Sequence, residues 1–170
     1  MKGKIWYACY GSNILLERFR CYIKGGKCRF NGKTYAGCAD DTMPTESLPI
    51  VIPYEMYFGN CSSWDGYGAA FLDTSKPSAT LGRMYLITEE QFAEIKQQEG
   101  DGPNWYHHEQ HLGEHRGYPI KTLTNSKRRP ANAPSTVYLQ VIADGVKEML
   151  GEVIIPSMYQ QGGQPSGSLR

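Results

Sequence analysis

Three groups of residues in this sequence have the types and spacing for chemistry. The first is Tyr10-Gly11-Ser12-Asn13, which follows a run of β-formers and precedes apolar residues at helical spacing. Small residues at a strand-to-helix junction expose backbone N–H groups, and the first helical turn leaves more of them unpaired, so this turn suits a carboxylate or a developing oxyanion. The same residues also suit an ordinary turn in which Ser12 or Asn13 is the helix N-cap. The second is Glu99, seven positions after Phe92 and four after Ile95, which at about 100° per residue places it on the apolar face of their helix. Burial and the negative end of a helix both raise a carboxylate's pKa, and a carboxyl group so tuned suits proton transfer near neutral pH. If the helix frays before Gly100, Glu99 is merely solvated. The third is His107-His108-Glu109-Gln110-His111-Leu112-Gly113-Glu114-His115, which holds all four histidines. On a strand, His107, Glu109 and His111 share one face and form a candidate metal-ligand set. Such a set needs a donor from elsewhere, and neither another His nor a closely spaced Cys pair supplies one, which favours an outward polar hairpin face and no metal. Ser12 as a nucleophile needs a His base nearby, and no G-x-S-x-G elbow occurs.

Elements that position these groups follow from periodicity and turn residues. Lys4 to Cys9 reads as a strand with Cys9 a small core residue, and Ile14, Leu15, Phe19, Tyr22 and Ile23 read as a helix that ends with Gly25 at its C-cap. Arg29 to Thr45 reads as loop with a short hairpin. Ile50 to Phe58, Ala69 to Leu72 and Leu81 to Ile87 read as strands, separated by Gly59-Asn60, Asp65-Gly66 and Lys76-Pro77. Thr88 and Gln91 form a capping box for the helix that carries Phe92, Ile95 and Glu99 to Gly100. Trp105 to Leu112 and Tyr118 to Thr124 read as a hairpin around Gly113 and Gly117, and a last helix starts after Pro134 with Ser135 as cap. Short connections favour antiparallel neighbours, so the expected fold is α+β, a small mixed, mainly antiparallel barrel flanked by helices.

Composition sets the outer bounds. A chain of 170 residues with 18 basic and 17 acidic side chains has the size of one domain and no net field to attract nucleic acid or an anionic membrane. Its longest apolar run, Ile5 to Tyr10, is six residues, far below a membrane helix. Five cysteines without a C-x-x-C suit a reducing cytoplasm better than a disulfide framework. The expected organisation is a single domain over 1–159 and a flexible tail over 160–170, where QQGGQPSGSLR has one large apolar residue. The short basic loop Lys127-Arg128-Arg129 reads as solvated.

Ile5-Trp6-Tyr7-Ala8-Cys9-Tyr10-Gly11-Ser12-Asn13-Ile14-Leu15 resembles the Y-G-S-N signature of the γ-glutamylcyclotransferase-like family, and Ile95-Lys96-Gln97-Gln98-Glu99-Gly100 resembles its helix ending in Glu-Gly. Tyr57-Phe58-Gly59-Asn60 with Trp64-Asp65-Gly66, the Leu81 to Ile87 strand, and Pro134-Ser135 with Tyr138 are similar in the same order. The resemblance implies an acyltransferase that converts a γ-glutamyl amino acid, peptide or amine into 5-oxoproline and a free amine, without a cofactor. It implies that Glu99 is the catalytic acid/base, that Tyr10, Gly11, Ser12, Asn13, Ile14 and Leu15 line the pocket, and that Tyr106 and Tyr138 stand at the cavity. The backbone N–H groups of Gly11 to Leu15 would hold either the substrate's α-carboxylate or the tetrahedral oxyanion. The sequence departs from the family pattern at Cys9 and over Lys24 to Pro49, a long Cys-bearing insertion at the expected pocket rim. Two alternatives stay open: a non-catalytic small-molecule binding protein on the same fold, and a metal-dependent barrel enzyme built on His107, Glu109 and His111.

Overall fold

The strand β1 (Lys4–Cys9) is the spine of the sheet, and its residues after Lys4 are all buried. It pairs antiparallel with β5 (Ala69–Thr88), from Lys4 opposite Thr88 to Cys9 opposite Arg83, and parallel with β7 (Tyr118–Thr124), Trp6 to Ala8 facing Ile120 to Thr122. Both its faces are covered, which explains an apolar run without polar alternation. Ile5, Tyr7 and Cys9 enter one cluster with Ile14, Phe19, Tyr85, Phe92 and Ile95, whereas Trp6, Ala8 and Tyr10 enter another with Ile52, Leu72, Met84 and Tyr138. A period of two thus fills two layers from one strand.

This computed structural model describes residues 3–62 and 65–160, the last nine by backbone alone. The sheet runs β4-β5-β1-β7-β6, with β4 (Ser47–Gly59) and β6 (His108–His115) at its edges, and forms a curled, mainly antiparallel half-barrel. A separate hairpin pairs β2 (Gly26–Lys27) with β3 (Thr34–Tyr35), so the short hairpin expected within Arg29 to Thr45 begins earlier, with only its second strand inside that stretch. Three helices flank the sheet: α1 (Leu16–Lys24), α2 (Glu89–Glu99) and α3 (Thr136–Gln160). Among the described residues no helix is long and apolar enough to cross a membrane.

Several boundaries differ from expectation, each for a physical reason. Ala69 to Leu72 and Leu81 to Ile87 belong to one strand of 20 residues that continues through Lys76-Pro77. Pro77 faces Tyr54 of β4 beyond the stretch that β1 pairs, and the register shifts on either side of Tyr54 absorb the irregularity, so the missing N–H disrupts no second ladder. Ser12 and Asn13 are not the helix N-cap. Ser12–Ile14 forms a 3₁₀ turn, and α1 starts only at Leu16 without any side-chain cap from Leu15. The second hairpin starts at His108 rather than Trp105 and turns at Arg116-Gly117, both with positive φ, while Gly113 sits at a bulge. The Thr88 and Gln91 capping box is present, Gly25 caps α1 at φ +72° with its N–H on the Cys21 carbonyl, and Ser135 Oγ accepts the Tyr138 N–H at 3.1 Å. Of the expected tail, Gln160 is the last residue of α3, and 161–170 lie outside the described residues, as does Trp64.

Candidate active site

The Tyr10 to Asn13 segment is held by its carbonyls from β5 and by its helix end from α3. Within the 3₁₀ turn, Ile14 N–H returns to the Gly11 carbonyl and Leu15 N–H to the Ser12 carbonyl, both at 3.2 Å. The Tyr85 hydroxyl donates to the carbonyls of Asn13 (2.8 Å) and Ile14 (3.2 Å), and Arg83 Nη1 donates to Ile14 O at 2.9 Å. Glu148 of α3 accepts from Arg83 Nη1 at 2.6 Å and from the Leu16 N–H at 3.1 Å, so it serves as the cap that Leu15 cannot provide. A Cβ on Gly11 would lie 3.0 Å from the Tyr138 hydroxyl and 3.2 Å from Ala70 Cβ, so the turn is packed closely against the tyrosine.

This turn borders a cavity of about 360 Å³, and Glu99 lines it from the last position of α2. Asn13 Nδ2 donates to Glu99 Oε1 at 2.8 Å and the Tyr7 hydroxyl donates to the same oxygen at 3.1 Å. Oε2 is the oxygen left for a ligand among the described residues. Burial raises the Glu99 pKa to about 7, against the opposing pull of the Tyr7 hydrogen bond, the Arg18 charge and the Asn13 hydrogen bond. Asn13 Oδ1 is buried and has no hydrogen-bond partner. A cavity carboxyl group with one oxygen uncommitted is an acceptor that an ammonium group fits.

Tyr106 and Tyr138 both line the cavity, and both bind the backbone of Ala70. The Tyr106 hydroxyl donates to Ala70 O at 2.8 Å, and the Tyr138 hydroxyl accepts from Ala70 N–H at 3.2 Å. Thr124 Oγ1 treats Leu72 in the same way, accepting from its N–H at 2.9 Å and donating to its carbonyl at 3.0 Å. These side chains satisfy the edge of β5 that β1 does not reach, and Ala69, Ala70, Tyr106 and Tyr138 also line the cavity. Tyr106→Phe and Tyr138→Phe should therefore each lower stability, by about 1–3 kcal/mol for an orphaned backbone group, along with any catalytic loss. Thermal melts that match wild type for both variants would show that neither bond holds β5.

Tyr10, Gly11, Ser12 and Asn13 line the cavity, whereas Ile14 and Leu15 do not. Ile14 is 1% exposed and packs in the core beside Phe19 and Tyr85, and the N–H groups of Ile14 and Leu15 are engaged within the turn. Any anion site in the turn is thus confined to Gly11, Ser12 and Asn13. The proposed ligand set of His107, Glu109 and His111 is not assembled either: His107 precedes β6 and bonds Ser126, and Glu109 pairs with Lys96 and Lys121. No group of three His, Cys, Asp or Glu among the described residues has the arrangement to hold a metal ion. No histidine lines the cavity to serve Ser12 as a base, and burial pushes the Cys9 thiol far up, away from a reactive thiolate.

Sequence reasoning missed Tyr7, Arg18, Tyr22, Asn31, Lys33, Tyr35 and Gln98, all in the cavity wall. For Arg18 a signal existed: it falls three residues after Leu15 and four before Tyr22, on the face that α1 buries, where a cation is as unusual as Glu99 is on α2.

No protein-family model matches the chain. It is 29% identical over 191 aligned residues to histone deacetylase 5 of Arabidopsis thaliana, a match that takes in 86% of this chain and 28% of the length of that protein. Among solved structures, a γ-glutamyl cyclotransferase superimposes with a TM-score of 0.60 at 19% identity, covering 94% of this chain and 85% of the other. The chain has the γ-glutamyl cyclotransferase fold. An uncharacterized protein of Homo sapiens aligns with a TM-score of 0.63 at 18% identity over 96% of this chain and 90% of its own. YkqA of Bacillus subtilis aligns at 0.59 and 19% over 94% and 54%. On this cyclotransferase fold, the curled sheet and α2 bring Glu99 and the Tyr10 to Asn13 turn to one cavity, although they are 86 residues apart in sequence.

Proposed function

We propose that this chain catalyses γ-glutamyl cyclotransfer: intramolecular acyl transfer that turns a γ-glutamyl compound into 5-oxoproline and a free amine. The observation that carries the reading is Glu99, a cavity carboxyl group with a pKa raised to about 7, held by Asn13 Nδ2 and the Tyr7 hydroxyl through one oxygen. The substrate's α-ammonium binds at Glu99 Oε2. Glu99 takes one proton, and the neutral amine attacks the γ-carbonyl carbon of the same molecule, forming the C–N bond of the five-membered lactam. The tetrahedral intermediate then expels the leaving amine as its C–N bond breaks: Glu99 returns its proton to that nitrogen, and the second proton lost by the ring nitrogen passes through solvent to the departing amine, which leaves as an ammonium. No covalent enzyme intermediate, metal or cofactor enters the balance. Because the nucleophile and the electrophile belong to one molecule, the protein's main task is to hold the curled conformer, for which effective molarities are large.

The N–H groups of Gly11, Ser12 and Asn13 are the part of the turn left to hold an oxyanion or the α-carboxylate. The test is 5-oxoproline release across γ-glutamyl amino acids, γ-glutamyl amines and glutathione, with and without a chelator. Release from at least one class at a rate the chelator leaves unchanged is expected. Silence across all three, or activity that returns only with added metal, overturns the reading.

A further inference from the structure

The segment that follows α1 folds back along the helix and brings two cysteines together. Gly25 and Gly26, at φ +72° and +87°, reverse the chain, and Arg29 then meets Glu17 of α1 through two contacts of 2.6 Å. Cys28, the residue before Arg29, is 1% exposed, and its Sγ accepts from Arg18 Nη1 at 3.9 Å. Cys21 is half-buried one turn after Glu17, and its Sγ donates to the Glu17 carbonyl at 3.8 Å. Its thiol also has hydrogen-bond contacts with the Cys28 thiol and the Arg18 guanidinium. Glu17, Arg18 and Cys21 thus form the patch of α1 on which Cys28 and Arg29 dock. Two other cysteines are engaged elsewhere: Cys38 Sγ meets the carbonyls of Tyr22 and Gln91, and Cys9 Sγ meets that of Arg83.

We propose that Cys21 and Cys28 are a redox modification site, closed to a disulfide by a small-molecule disulfide such as oxidised glutathione, and that closure fastens the β2–β3 hairpin to α1. The proposal is independent of the cyclotransfer reading. Cys21 reaches solvent and Cys28 does not, so the Cys21 sulfur attacks first, forming a mixed disulfide and releasing one glutathione. The Cys28 sulfur, in contact with Cys21, then attacks the Cys21 sulfur, forming the protein S–S bond and releasing the second glutathione. The two thiol protons end on the two departing glutathione thiolates, and the two electrons reduce the small disulfide. Burial and the Cys28 thiol push the Cys21 pKa up to about 11, so Cys21 rests as the thiol at neutral pH and exchange takes minutes to hours. The hairpin loop and its second strand carry Asn31, Lys33 and Tyr35 of the cavity wall, and on its outer side the tie to α1 is the exposed Arg29–Glu17 pair, which contributes little by itself. A covalent bond beside Arg18, another residue of that wall, therefore restrains one side of the cavity.

The test incubates the folded full chain with oxidised glutathione, blocks remaining thiols and digests with trypsin without reduction. Cleavage after Arg20, Lys24, Lys27 and Arg29 separates the cysteines, so the disulfide is read as Cys21–Lys24 joined to the dipeptide Cys28-Arg29. That linked pair is expected in wild type, lost on adding dithiothreitol and absent from Cys21→Ser and Cys28→Ser. Cys28→Ser should instead keep glutathione on Cys21, and Cys21→Ser should leave Cys28 unmodified. Because Cys28 is buried, Cys21→Ser carries the comparison if Cys28→Ser does not fold. Amide exchange over residues 26–35 should slow by about tenfold or more in the oxidised wild type, since a cross-link removes open states of the hairpin. Glutathione that stays on Cys21 in wild type, a disulfide joining either cysteine to another partner, or no linked peptide overturns the site. A linked peptide with unchanged exchange across the hairpin overturns its fastening to α1.

Discussion

Glu99→Gln is expected to lower 5-oxoproline release by about 10²- to 10⁴-fold, the usual range for removing a general acid–base. Glutamine keeps the size and an acceptor oxygen, so the bonds from Asn13 Nδ2 and the Tyr7 hydroxyl to position Oε1 can persist. What it loses is the capacity to take the ammonium proton. In wild type, kcat/KM should rise with pH as the carboxyl group ionises and level off above about 7, and that limb should vanish in the variant. Stability gives an independent check on the same group. A carboxyl group whose folded pKa is raised from 4.5 to about 7 binds more protons folded than unfolded between those values, so its contribution to stability falls as pH rises through that window. The slope is at most about 1.4 kcal/mol per pH unit. Glu99→Gln should flatten it and melt above wild type at pH 8. Near-normal turnover in a folded variant rejects Glu99 as the acid/base, and an unchanged pH dependence of melting rejects its raised pKa.

Glu99 was legible in the sequence because two one-dimensional signals meet there: a helical period set by Phe92 and Ile95, and a stop at Gly100, which caps α2 at φ +95°. Thr88 with Gln91 and Ser135 with Tyr138 were legible for the same reason, since a cap is satisfied within three residues of itself. Local signals failed where a distant group takes over a local task. Ser12 looked like an N-cap, but Glu148 from α3 takes the Leu16 N–H, and Tyr85 and Arg83 from β5 take the carbonyls of Asn13 and Ile14. Pro77 looked like a break between strands because a proline cannot join two ladders, and only the fold shows that one ladder is absent there. Along the same unpaired edge of β5, Tyr106, Tyr138 and Thr124 bind the backbone of Ala70 and Leu72. The part of the cavity wall formed by Asn31, Lys33 and Tyr35 was hidden by the weak pattern of Arg29 to Thr45, whose fold depends on contacts with α1 and α2 such as Gly37 N–H to Gln98 Oε1 at 3.0 Å.

Gly145→Ala should damage the site from the far side of the turn. Gly145 is buried in α3, and a Cβ there would lie 2.5 Å from Leu15 N and 2.8 Å from Ile14 C, which are backbone atoms with no rotamer to relieve the contact. In an exposed helix the same substitution would stabilise by about 1 kcal/mol through helix propensity, so the sign of the result separates the two effects. Here α3 has to move away from the 3₁₀ turn, and Glu148 moves with it, weakening the bonds to Leu16 N–H and Arg83 that fix where the turn stands. Overpacking of this kind costs about 1–3 kcal/mol, which for a chain of this size lowers the melting temperature by about 3–8 °C. Because a displacement near 1 Å in a catalytic constellation can cost about 10²-fold, kcat/KM should fall more than the stability loss alone implies, at temperatures where the variant is still folded. Lys147→Ala, on the exposed face of the same helix, should change stability by no more than about 0.5 kcal/mol. A Gly145→Ala protein that melts at or above wild type with unchanged kcat/KM would mean that the close approach of α3 does not position the turn, and the Tyr10 to Asn13 segment would then owe its geometry to β5 alone.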